Sequence, residues 1–245
     1  MDFVRTYKTR KKYQLPLVQK IPGKSFDLAL LNLELQKLQN EWTDLYRANH
    51  GLCAAHPQLA ENNYKHFDQI NLTTFNNAPV ESSLDEARAQ CQALSEATRA
   101  QFGTLSEYRA KTRRKQDINP ALDEHRWHIP LPIYEGSIFQ KEIQRNFSTQ
   151  PIRVRLVRLR AGKTLTPHID YCPTYAVRVI VPLATHENVK NLFWKKSQRY
   201  EFHLPADGGA YFLNVGFTHS VENRSPKDRY SLMFSLPNQD DIQCL

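Results

Sequence analysis

The chain has 245 residues, 40% hydrophobic and 24% charged, which is the balance of a polypeptide that folds around a core in water. No apolar run approaches the roughly 20 residues of a membrane-spanning helix, and the opening stretch MDFVRTYKTRKKYQLPLVQK lacks the apolar segment and small-residue cleavage site of a secretory signal. A formal net charge of +8 suits either an anionic partner or a solvated basic surface.

Two clusters carry much of that charge: Arg5, Lys8, Arg10, Lys11 and Lys12, then Arg109, Lys111, Arg113, Arg114 and Lys115. Neither is interleaved with aromatics in the manner of a single-strand stacking platform, so nucleic acid stays open as a partner but unsupported. The four cysteines, Cys53, Cys91, Cys172 and Cys244, form no CxxC pair. Neither a disulfide framework nor a zinc knuckle is expected, and a reducing cytoplasm is the default location.

In chain order, Leu31, Leu35, Leu38, Trp42 and Leu45 follow the 4-3-4-3 spacing of one helical stripe, with Ser25 as the expected N-cap after Pro22 and Gly23. The stretch HFDQINLTTFNNAPVESS reads as a short strand and then a loop. A second helix is expected to start at SLDE, where Ser83 and Glu86 have capping-box spacing. Leu84, Ala87, Cys91 and Leu94 continue its stripe, and Phe102 and Leu105 extend it past Gly103. Both stripes are read as packing surfaces.

From Trp127 the texture changes. WHIPLPIY, IRVRLVRL, YAVRVIVPL, LFW, YEFHL, AYFLNVGF and YSLMFSL are short strand-like runs, separated by the turn signals RAGKT, PADGG and NRSPKD. Many short strands at close spacing predict an antiparallel double-stranded barrel or sandwich. The expected organisation is one domain over residues 1–245: a helical N-terminal layer (1–125) and a β core (126–240).

Within that core, TPHIDYCPTYAVRVIVPL interrupts its strand pattern with polar groups. On an extended chain residues i and i+2 share a side, so His168 and Asp170 can converge, and Arg178 could share their face from a neighbouring strand. His219 follows in LNVGFTHSVENRS. Two imidazoles and a carboxylate are the ligand set that holds non-haem Fe(II) and leaves positions open. Arg229, ten residues past His219, would then need an anionic partner if buried. A dicarboxylic keto acid would supply one. Arg153, Arg155, Arg158 and Arg160 could also help hold a carboxylate, although strand alternation sends some of them to solvent.

The stretches RLVRLRAGKTLTPHIDY, RVIVPL, GGAYFLNVGFTHSVEN and DRYSL, spanning roughly residues 150–236, resemble the Fe(II)- and 2-oxoglutarate-dependent oxygenases, whose core is a cupin-like double-stranded β-helix. The likeness is to their aspartyl/asparaginyl β-hydroxylase-like branch, which includes bacterial proline cis-3-hydroxylase. The resemblance implies an α+β, mainly β fold in which His168, Asp170 and His219 bind iron and Arg229 binds the C5 carboxylate of 2-oxoglutarate. Arg178 falls in the branch's R-x-H-x-P-L strand motif, here with Ile180 in place of the histidine. It is assigned either to co-substrate or to a substrate carboxylate, against the plainer alternative of an outward arginine on an edge strand. Halogenases of the family have Gly or Ala in place of the carboxylate, and animal aspartyl/asparaginyl hydroxylases also lack it, so Asp170 favours hydroxylation over halogenation. The implied reaction uses O2 and 2-oxoglutarate to hydroxylate an unactivated C–H bond of an amino acid, or of an amino-acid side chain in a peptide. A protein or nucleic-acid substrate, and a non-catalytic cupin-like binding protein, are the alternatives. No membrane role is expected.

Overall fold

The computed structural model describes residues 9–44, 67–75 and 123–245. In its N-terminal part lie strand β1 (Val18–Ser25), helix α1 (Leu28–Lys37) and strands β2 (Thr43–Asp44), β3 (Phe67–Asn71) and β4 (Thr73–Thr74). After residue 122 come β5 (Ile129–Pro130), helix α2 (Ile138–Asn146), β6 (Ile152–Leu159), β7 (Thr164–His168), β8 (Val177–Ala184) and β9 (Val189–Lys195). The remaining strands are β10 (Gln198–Phe202), β11 (Gly209–Leu213), β12 (Thr218–Asn223) and β13 (Arg229–Leu236). No described helix is long and apolar enough to cross a membrane.

A large sheet runs β1-β11-β8-β13-β6-β3-β2 and a smaller one β10-β9-β12-β7, with β4 and β5 paired separately. From β6 to β13 the chain shuttles between the two sheets, entering the large one at β6, β8, β11 and β13. All the neighbouring pairs are antiparallel. This is the double-stranded β-helix, a jelly roll, as the strand-rich second half predicts.

Alternation along each strand divides the core into layers. From β6, Val154 and Leu156 join Val177, Val179, Leu232 and Phe234 on the face covered by α1 and α2, while Val157 and Leu159 meet Val189 and Val221 of the smaller sheet. The helices contribute Leu31, Leu35, Phe139 and Ile143 to the outer layer. Phe234 is fully buried there, with the Phe147 ring edge-on at 5.2 Å. Phe234→Ala is expected to cost about 3–5 kcal/mol. Urea denaturation measures it, and a loss below about 1 kcal/mol would contradict this packing role.

Several local expectations change. Asp27, not Ser25, caps α1: its carboxylate accepts from the Leu30 amide at 3.1 Å, and Ser25 closes β1. The helix stops at Lys37, so Leu38 is its C-cap and Trp42 lies beyond it, packed on Tyr230 and under the Arg158 guanidinium. Leu45 and the second expected helix, with Ser83 and Glu86, lie outside the described residues. The N-terminal layer is mixed in its described part, because β1 and β3 extend the large sheet beside β11 and β6. WHIPLPIY yields only the two-residue β5, since Pro130 and Pro132 offer no backbone donors for a ladder. The strand reading passed over α2, which Ser137 caps by accepting from the Gln140 amide. Its buried face is short, with Phe139 and Ile143 one turn apart.

Candidate metal centre

His168 is the last residue of β7 and stands directly opposite His219 of β12 in the register of the smaller sheet. Their rings lie 4.2 Å apart between centroids. Convergence with Asp170 is therefore not simple strand alternation, because β7 has already ended. The Asp170 amide donates to the Val215 carbonyl at 3.0 Å, and this folds the HID segment back toward the strand pair. The Asp170 carboxylate lies 3.6 Å from His168 Nε2 and 3.9 Å from His219 Nε2. One ligand atom from each of the three residues fits within a 4.8 Å group.

The donor chemistry suits a cation. His168 Nδ1 faces the Thr166 carbonyl at 2.8 Å and His219 Nδ1 faces the Phe217 carbonyl at 3.1 Å. A carbonyl oxygen only accepts, so each Nδ1 carries the proton and each Nε2 presents a lone pair toward Asp170. Two lone pairs and a carboxylate facing one another gain nothing without a positive ion. At metal–ligand bonds of roughly 2.0–2.2 Å, ligand atoms set at right angles would be roughly 3 Å apart, so modest tightening of the observed spacing would complete a site.

Burial drives the His219 pKa down to about 4, so the imidazole is neutral and able to ligate at physiological pH. Phe193 stacks on its ring, with planes 21° apart. For Asp170 burial opposes ionisation, but His168, Arg178 and His219 override it and hold the carboxyl well below its usual range. A pH dependence follows for the ligand-free protein. Below the ordinary histidine value of 6.5 the unfolded chain takes up a proton that native His219 refuses until about pH 4. Stability is therefore expected to fall as pH drops through that window, and His219→Gln should flatten this part of a urea-midpoint profile. An unchanged slope in the variant would show that His219 is not the group responsible.

Arg178 is neither outward nor on an edge. It occupies β8 inside the large sheet, 5% exposed, and β7 belongs to the other sheet, so it faces the histidines across the sandwich. Its guanidinium meets Asp170 Oδ2 at 3.3 Å, Glu124 Oε1 at 3.3 Å and the Tyr171 hydroxyl at 2.9 Å. Arg178 thus has partners within the protein, and one contact it makes is to hold Asp170 in place.

Glu124, which sequence reasoning missed, is the hub of this layer. It sits in a 3-10 turn (Glu124–Arg126) and pairs with both Arg153 and Arg178 through Oε1, while Oε2 accepts from the Ser235 hydroxyl at 2.7 Å. Its own polar neighbourhood in the sequence offered no signal. The signal lay in IRVRLVRL, whose inward arginines required an acid from elsewhere. Glu124→Gln removes the carboxylate that Arg153 and Arg178 share and leaves Arg178 with Asp170, and a loss of about 3–5 kcal/mol is expected in chemical denaturation. A loss under about 1 kcal/mol would mean the cluster is not held by charge.

Arg229 opens β13, 3% exposed and on the face turned toward the smaller sheet. Its Nη2 has no hydrogen-bond partner and no described carboxylate pairs with it. Burial alone pulls its pKa down to about 10. Two residues on, the Ser231 hydroxyl is also buried and unpartnered. Sequence reasoning missed this serine, although R-x-S spacing on a strand places both groups on one face. A buried guanidinium and a hydroxyl, both lacking acceptors or donors, form a ready seat for a carboxylate.

Neither a protein-family model nor a curated protein matches the chain. Among solved structures, it is similar to a 2OG-Fe(II) oxygenase family oxidoreductase from Burkholderia pseudomallei. That match has 13% identity and a TM-score of 0.35, and it covers 70% of this chain and 67% of the other. It is also similar to a cupin domain from Bordetella pertussis Tohama I, at 19% identity and TM-score 0.28, over 37% of this chain and 85% of that one.

Proposed function

We propose that the protein is an Fe(II)- and 2-oxoglutarate-dependent dioxygenase that hydroxylates an unactivated C–H bond of an amino acid or amino-acid side chain. The observation that carries this reading is Arg229, a buried guanidinium without a carboxylate partner among the described residues, in the same sandwich as a His-Asp-His group whose lone pairs face one another. The motifs of the second half support the aspartyl/asparaginyl β-hydroxylase-like branch.

In this reading His168, Asp170 and His219 hold the metal. Bound there, Fe(II) would supply the oxygen activation that couples decarboxylation of 2-oxoglutarate to hydroxylation. Arg229 takes the distal carboxylate of 2-oxoglutarate by a two-point contact, and the Ser231 hydroxyl donates to it. Arg178 keeps Asp170 ionised and aimed at the ligand pair. Phe193 stacks on His219 and Leu159 stands opposite Arg229, so apolar side chains border the buried part of the site. A non-catalytic binder would gain nothing from the expense of burying Arg229 unpaired beside a set of metal ligands. A cytoplasmic location is part of the same proposal.

The test is a screen of anaerobically iron-loaded protein against amino acids and short peptides, following succinate release and a mass gain of one oxygen in the substrate. Succinate formation that depends on iron and rises with a particular substrate is the expected result. Absence of Fe(II) and 2-oxoglutarate binding by calorimetry would overturn the reading.

A further inference from the structure

Among the described residues, the inward arginines of β6 and β8 outnumber the acids that pair with them. Arg153 stacks on Trp127 at 4.2 Å and reaches Glu124 at 3.3 Å, while Arg178 takes the other approach to the same oxygen and also contacts Asp170. Arg158 near the end of β6 and Arg160 just past it leave the interior and pair with Asp68 at 2.6 Å and 3.0 Å. Arg155 is left over. It is 6% exposed, and its guanidinium makes one hydrogen bond, from Nη1 to the Arg153 carbonyl at 3.2 Å. No described carboxylate pairs with it.

Among the described residues, the ion pairs of this layer set three buried cations (Arg153, Arg155, Arg178) against two acids (Glu124, Asp170), and neither acid pairs with Arg155. Desolvation makes an uncompensated interior charge expensive, and a bound anion removes that expense. Burial pushes the Arg155 pKa down to about 9, which still leaves it charged at neutral pH.

Its position connects it to the metal ligands. Arg155 lies on the same side of β6 as Val157 and Leu159, the residues that face the smaller sheet, and its charge is felt at the Asp170 carboxylate. In the register of the large sheet Arg155 stands opposite Met233 and Arg229 opposite Leu159. The two guanidiniums without a described carboxylate are therefore rooted four residues apart, roughly 13 Å along the strands. Two such groups call for two anions.

We propose that Arg155 anchors a second anion subsite, and that the substrate presents a carboxylate to it from beside the metal ligands. The proposal rests on the reading in which Arg229 serves the co-substrate. A carboxylate matches both the surplus of a single charge and the planar guanidinium fork, whereas a phosphate dianion would bring charge in excess.

The probe is acetate, with acetamide as its uncharged counterpart, titrated against thermal stability at constant ionic strength set by sodium chloride. One series is run with saturating Mn(II) and 2-oxoglutarate, a second on the ligand-free Arg229→Met variant. Saturable stabilisation by acetate and none by acetamide is expected, with affinity at least tenfold weaker after Arg155→Met. Equal acetate affinity in Arg155→Met, or no saturable response in the parent proteins, overturns the proposal. If Arg155→Met fails to fold, Arg155→Lys replaces it. Loss of the planar fork should then weaken acetate at least threefold, and unchanged affinity would be decisive against. The stabilisation that 2-oxoglutarate adds in the presence of Mn(II) should survive Arg155→Met and be lost in Arg229→Met, where Mn(II) alone still stabilises. If Mn(II) and 2-oxoglutarate do not stabilise the wild type at all, the metal and co-substrate reading fails on its own, and the ligand-free series still decides Arg155.

Discussion

His219→Ala is expected to abolish turnover, lowering it by at least a thousandfold, and to weaken binding of Mn(II) or Fe(II) by on the order of 100-fold or more while the protein stays folded. The substitution deletes one of three ligand atoms and leaves His168 and Asp170 to hold a cation alone. Folding should survive, because His219 lies at the end of the sandwich where β12 begins and the apolar layers are anchored elsewhere. Anaerobic calorimetry reads the metal affinity, succinate release reads turnover, and far-UV circular dichroism reads the fold. Near-normal turnover would remove the metal-centre reading, whatever happened to stability.

Arg229→Met should move function and stability in opposite directions. The wild-type chain buries a guanidinium that finds no partner among the described residues. Replacing it with an apolar side chain of similar length removes the desolvation cost, so the ligand-free variant should gain about 1–3 kcal/mol. In a chain of this size that corresponds to a rise in Tm of roughly 2–4 °C per kcal/mol. Meanwhile 2-oxoglutarate should lose about 100-fold or more in affinity, since a charged two-point contact has gone. Metal affinity should hardly change. A variant that was destabilised and still bound 2-oxoglutarate normally would make Arg229 a structural residue.

The legible part of the molecule was the part in which pattern and chemistry coincide. IRVRLVRL is a strand over its whole predicted length, and Gly162 takes a left-handed backbone in the turn RAGKT, as a tight reversal needs. His168 and His219 stood out as polar residues in strand-like runs, whereas the turn that brings Asp170 to them after β7 ends was not legible. What escaped was set by tertiary partnership. Glu124 could be found only through the arginines it serves, from a turn 28 residues before the start of β6. Nothing local in the sequence reveals that Glu124 and Tyr171 reach Arg178. The run Leu31, Leu35, Leu38, Trp42 kept a helical period past the helix end, since Leu38 and Trp42 also pack against the core without being helical.

The two kinds of binding group sit on opposite walls. His168 and His219 belong to the smaller sheet, Arg229 and Ser231 to the large one. Packed sheets stand about 10 Å apart, at a distance set by the side chains wedged between them. Here those wedges include Val157, Leu159, Val189 and Val221. On the proposed reading the sandwich is therefore a caliper: its jaws hold the two ends of the keto acid, and its opening is fixed by aliphatic volume. Oxaloacetate, one carbon shorter, would fall short of one jaw, and 2-oxoadipate, one carbon longer, would have to buckle. Trimming a wedge, as in Val221→Ala, or enlarging one, as in Val189→Ile, would reset the gauge and with it the preferred chain length, without touching a single ligand atom.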